Sequence, residues 1–140
     1  DQWELAGIIH DADYNLAPLE RHGYAAAEWS EGQLTPEIER AVISHNFKLN
    51  GVEPAGKMGW ALYATDNLAG LIVAAALVLP DKKLAKLSVR SILKRFKEPA
   101  FAKGADREEI LACDKLGLSL EEFTAIVLKG MVQLADQLGL

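Results

Sequence analysis

"KMGWALYATDNLAGLIVAAALVLP", residues 57–80, decides the fold. From about Lys57 to Leu79 it has no strand-like alternation, and its second half is apolar on every side, the pattern of a helix surrounded by protein. Pro80 cannot continue a helical ladder and marks its end. The purely apolar part, Leu68 to Leu79, is twelve residues long between Asn67 and Pro80. A bilayer span needs about twenty, so this stretch predicts the buried central helix of an all-α bundle.

The segments on both sides also read as helices. "TPEIERAVISHN" (35–46) offers Thr35 as N-cap, Pro36 at the first helical position, Glu37 in the first turn, and Ile38, Ala41 and Val42 at helical spacing. "RHGYAAAEWSEG" (21–32) is alanine-rich, with Gly32 placed to stop it. Trp3, Leu5, Ala6, Ile8 and Ile9 crowd a segment that periodicity alone leaves open between strand and helix, and its neighbours favour helix. "NGVEPAG" (50–56) is a loop. After Pro80, Val89, Ile92, Leu93 and Phe96 share one face from Ser88 onward, with Arg90, Lys94 and Lys97 on another. Asp106 with Glu109, and Ser119 with Glu122, are two N-terminal capping patterns, the second before "FTAIVLKGMVQLADQL" (123–138). The expectation is an all-α single domain over residues 1–140, a bundle of six or seven helices.

At 140 residues, 50% hydrophobic and 25% charged with a net charge of -5, the chain has the composition of one soluble acidic domain. A nonspecific duplex binder shows the opposite charge balance. Residues 81–103 hold eight of the fifteen basic residues, but no aromatic platform is interleaved with them. They read as a solvated helix face, and nucleic acid is not an expected partner. Trp29, Trp60 and Tyr63 read as core or pocket wall, Met58 and Met131 as filler. Cys113 excludes an internal disulfide and points to a reducing cytoplasm. Acid in Asp1 to Glu4 argues against a signal peptide, and no membrane association is expected.

The chemistry concentrates in the first third of the chain, where all three histidines lie. His10 and Asp11 are adjacent at the end of the first apolar segment, His22 opens the next helix and His45 closes the third. Asp66 sits one or two turns into the long helix, between Leu62 and Gly70 one turn away on each side, where a carboxylate is costly unless a cation or donors meet it. Imidazoles and carboxylates make a mixed nitrogen and oxygen set suited to a divalent ion such as manganese, iron, cobalt, nickel, zinc or magnesium. Neighbouring helical residues point about 100° apart, so His10 and Asp11 can address one ion, or Asp11 can bridge two. Such a site lowers the pKa of water and neutralises phosphate oxygens. No Gly-x-Ser-x-Gly elbow, Walker loop or His-Glu-x-x-His motif offers another route.

"GIIHDADYNLAPLERHGYAAAEWSEG" (7–32), "AVISHN" (41–46) and "GVEPAGKMGWALYATDNLAGLIVAAALVLPDK" (51–82) together resemble the HD superfamily of metal-dependent phosphohydrolases, closest to its small HDIG-type bacterial members. The resemblance implies an all-α bundle with one or two divalent ions at its centre. It implies His10, Asp11, His22, His45 and Asp66 as metal ligands, Asp11 and Asp66 as the catalytic carboxylates, and Lys57 facing substrate phosphate. Ala12 and Asp13 stand where the variant has Ile-Gly, so Asp13 adds charge there. The family's first helix, with a further ligand histidine, has no counterpart before His10, and the chain reads as truncated relative to the family. The function implied is hydrolysis of a nucleotide or another small phosphate ester by metal-activated water. The alternative on the same fold is a metal- or nucleotide-binding regulatory module without turnover. Self-association is left open.

Overall fold

A computed structural model describes all residues, 1–140. The chain is helical throughout, with nine α-helices and three 3₁₀ turns, and forms two compact units, Asp1–Tyr63 and Ala64–Leu140. Nine helices exceed the six or seven expected because α4 (Phe47–Asn50) and α9 (Ala135–Leu138) are four residues each. One turn is too short for apolar periodicity to register.

The first unit contains α1 (Gln2–Ile9), a 3₁₀ turn at Leu19–Arg21, α2 (Tyr24–Trp29), α3 (Pro36–Ser44), α4, and the start of α5 (Gly56–Leu77). α1 begins at Asp1, whose carboxylate accepts from the Trp3 amide at 2.9 Å. α3 starts as its sequence dictates, with Thr35 as N-cap and Pro36 in the first turn. Both α1 and α2 pack on α3. The shared core is Ala6, Ala26, Ile38, Ala41, Val42 and Met58, with Ile9, Leu34 and Leu62 against it. Its alanines let the helices approach closely, while Ile38, Val42 and Met58 bury the larger apolar area. Trp29, expected as core or pocket wall, is 52% exposed. α2 turns Ala25, Ala26 and Ala27 inward, and three successive small residues leave the ring on the opposite side.

Gly23 is the tightest point of this unit. Its φ is +83°, and a Cβ there would stand 2.6 Å from the Val42 carbonyl oxygen and 3.2 Å from the Ile43 Cα. Only glycine lets the start of α2 reach α3.

In the second unit, the rest of α5 is joined by a 3₁₀ turn at Leu84–Lys86, α6 (Val89–Phe96), α7 (Arg107–Leu111), a 3₁₀ segment at Ala112–Leu116, α8 (Leu120–Gln133) and α9. By length and composition α5 is the one helix apolar enough to cross a membrane, yet Ala64, Leu68, Leu71, Ile72 and Ala76 are buried in this unit's core beside Leu84, Ile92, Ile110 and Phe123. Ser88 with Ser91, and Ser119 with Glu122, form capping boxes at α6 and α8. Arg107 ties down the loop before α7 by donating to the carbonyls of Phe96, Phe101, Ala102 and Ala105. Cys113 is buried, and burial, reinforced by the charge of Asp114, pushes its thiol above the ordinary range. Arg90, Lys94 and Lys97 line an open groove with Ser88, Ser91, Leu93 and Glu121.

Replacing Gly23 by alanine is expected to destabilise the protein by about 1–3 kcal/mol from the strained backbone alone, and by more once Val42 is displaced. Thermal or urea unfolding of Gly23→Ala against the wild type measures it, and an unchanged midpoint would contradict the packing described.

Candidate metal centre

Four of the expected ligand residues meet in the first unit, each at the end of a helical segment. His10 is the C-cap of α1, His45 the C-cap of α3, and His22 closes the 3₁₀ turn at Leu19–Arg21. Asp11 follows His10 in a continuing series of turns, with Ala12 bonded back to the Ile9 carbonyl and Tyr14 to that of Asp11. The C-terminal end of a helix carries partial negative charge and favours a cation. Two such ends, those of α1 and α3, are directed at this cluster.

The hydrogen-bond network assigns the imidazole tautomers. His45 Nδ1 donates to the Val42 carbonyl, and His10 Nδ1 donates to the Gly7 carbonyl at 2.8 Å. A carbonyl oxygen only accepts, so each of these rings has its proton on Nδ1. His22 Nδ1 lies 2.6 Å from Asp13 Oδ1, and the other oxygen of Asp13 accepts from the amides of Gly23 and Ala26 at 2.9 and 3.0 Å. With Asp13 as a carboxylate, Oδ1 is an acceptor as well, and His22 then carries its proton on Nδ1. A neutral ring protonated on Nδ1 has on Nε2 a lone pair that can accept a proton or a metal ion.

Those lone pairs converge. His22 Nε2 and His45 Nε2 are 2.9 Å apart, and Asp11 Oδ1 is 3.1 Å from the first and 3.6 Å from the second. Asp11 Oδ2 turns the other way, 3.4 Å from His10 Nε2, and the His10 and His45 rings meet edge to face with centroids 5.0 Å apart. His22 and His45 are buried and Asp11 is half exposed. The Asp11 carboxyl is held below its ordinary value of 3.8, first by hydrogen bonding from His45 and then by the charges of His10, His45 and His22, with partial burial opposing.

The ligand atoms of Asp11, His22 and His45 lie close enough together to hold one ion. Ligands about 2.1 Å from an ion and at right angles to one another are about 3.0 Å apart, close to the separations seen here between the nitrogens and from His22 to Asp11. Two imidazole nitrogens and a carboxylate oxygen are a donor set that a divalent ion would accept. These residues fit a divalent cation.

Asp66 belongs to the second unit and is exposed on α5, and Lys57 is exposed in the first turn of that helix. Asp13 is the side chain at this cluster that the residue pattern did not single out beyond its added charge. A signal for it exists in Gly23, which as N-cap of α2 has no side chain to satisfy that helix's first amides, so an acceptor from elsewhere is required. No family model matches this chain, and neither a curated protein nor a solved structure is found similar to it.

Because the Asp11 carboxyl titrates lower in the folded than in the unfolded chain, its contribution to stability is complete above its ordinary value of 3.8 and disappears as pH falls through the depressed folded value. In chelator, Asp11→Asn should therefore melt below the wild type at pH 5, and the gap should close as pH is lowered toward 2. A gap independent of pH across that range would contradict the electrostatic account.

Proposed function

We propose that the chain is a metal-dependent phosphohydrolase acting on a nucleotide or another small phosphate ester. The observation carrying this reading is the pair of buried Nε2 atoms 2.9 Å apart beside Asp11, a donor set that calls for a cation. The reaction class, and Asp66 and Lys57 as a further carboxylate ligand and a phosphate-facing cation, come from the resemblance to the HD superfamily. When bound, a divalent ion supplies positive charge for phosphate oxygens and makes water a competent nucleophile near neutral pH.

The chain's own groups divide the remaining work. His22 and His45 offer neutral nitrogens without adding charge, so the site keeps the positive field that a phosphate needs. Asp11 offers Oδ1 to the ligand face and Oδ2 on the His10 side, where it orients an incoming water by accepting its hydrogen bond. The half exposure of Asp11 gives substrate access. Nitrogen ligands favour manganese, iron, cobalt, nickel or zinc over magnesium.

Protein purified without chelator should carry one or two divalent ions per chain by elemental analysis. It should release phosphate from members of a nucleotide panel in the presence of Mn²⁺, or of Fe²⁺ under argon. Asp11→Ala should lose the ion and the activity together. Less than about a tenth of an ion per chain would remove the reading, since a preformed site of this kind binds its metal as part of the folded state. A full complement of ion without turnover of any phosphate ester would replace the enzyme by a metal-binding regulatory module.

A further inference from the structure

We propose that Asp13 is a positioning residue for the metal centre: it holds His22 in the tautomer and orientation that present Nε2 to the ion, while capping α2 with the same carboxylate. This rests on the metal-site reading above and concerns a residue outside the ligand set.

The geometry behind it is local and complete. Asp13 is fully buried, a costly place for a carboxylate unless donors surround it. Its Oδ1 takes His22 Nδ1 at 2.6 Å, and its Oδ2 takes the Gly23 and Ala26 amides at 2.9 and 3.0 Å. Those two amides open α2, where the helix dipole favours negative charge. One side chain therefore joins three things: the turn after His10 and Asp11, the first amides of α2, and the imidazole that begins nine residues further along. A carboxylate behind a ligating histidine fixes the ring and raises the basicity of the nitrogen facing the metal. Tyr14, edge-on to the His22 ring at 5.3 Å between centroids, limits its rotation from another side. The remaining charged group facing the ring is Asp11, and His45 lies against it at 4.6 Å between centroids.

Capping and positioning are separable by Asp13→Asn. The amide oxygen still accepts from Gly23 and Ala26, so the cap survives. The amide NH₂ then faces His22 Nδ1, which must accept, and the ring proton moves to Nε2, into the ligand face. A residue with only a capping role leaves the tautomer unchanged in this variant.

The test reads the metal-free protein first. Nitrogen-15 NMR of the imidazoles at pH 8 should show His22 as the Nδ1–H tautomer in the wild type and as Nε2–H in Asp13→Asn. Titration with Zn²⁺ or Co²⁺ alone should then show an affinity about 10–100-fold weaker in the variant, and in a His22→Ala background the same substitution should have no further effect. An unchanged His22 tautomer in Asp13→Asn, or equal Zn²⁺ affinity, would overturn the proposal. Should the variant fail to fold, an Nε2–H tautomer in the wild type is enough to overturn it. If the wild type binds no ion at all, the metal-site reading fails by itself, and the tautomer measurement still decides what Asp13 does to His22.

Discussion

Two imidazole nitrogens, His22 Nε2 and His45 Nε2, face one another at 2.9 Å with their Nδ1 atoms already engaged as donors. Two lone pairs at that separation, in a buried place, would repel unless a proton or a cation stood beside them. A proton on one Nε2, donated to the other nitrogen or to Asp11, would meet that need, and a divalent cation would meet it by taking the lone pairs of both rings and the carboxylate at once. The ends of α1 and α3 add their partial negative charge at the same point. The arrangement therefore fits a cation by electrostatics before any reaction is considered.

The first unit is built so that these groups cannot drift apart. α3 carries both the core residues Ile38, Ala41 and Val42 and the C-cap His45, so the packing that stabilises the helix also places the ring. The Val42 carbonyl that orients His45 is the atom against which Gly23 is packed. Gly23 in turn follows His22 and gives its amide to Asp13. Asn46 reaches from the α3–α4 junction to the Leu19 carbonyl at 3.2 Å and ties the 3₁₀ turn preceding His22 to the same helix. Substitutions at Gly23 or Asp13 thus act on the centre without touching its ligand atoms.

Much of this was legible from residue order, where the deciding chemistry is local. Thr35 with Pro36, Ser88, Asp106, and Ser119 with Glu122 start helices where the capping rules place them. The long helix runs from Gly56 to Leu77 and stops three residues before Pro80. His10, Asp11, His22 and His45, named together on the resemblance, lie near one another, and Asp11 turns its two oxygens to different histidines. What was not legible depends on contacts distant in sequence. The bond from Asp13 to the amides of Gly23 and Ala26 spans ten and thirteen residues, and no spacing rule describes it. The exposure of Trp29 follows from which face of α2 meets α3, and a helix of six residues with three consecutive alanines does not announce that face. The single-turn helices α4 and α9 fall below the length at which a pattern can be read.

The central claim is that His22 and His45 bind one cation through Nε2, with Asp11 beside them. X-ray absorption at the metal edge of Zn²⁺- or Mn²⁺-loaded protein tests it most directly, because imidazole rings give a characteristic multiple-scattering signal from their outer atoms. The account predicts at least two imidazoles around the ion in the wild type and one fewer in His45→Gln. A spectrum fitted by oxygen ligands alone, or one that His45→Gln leaves unchanged, would contradict it.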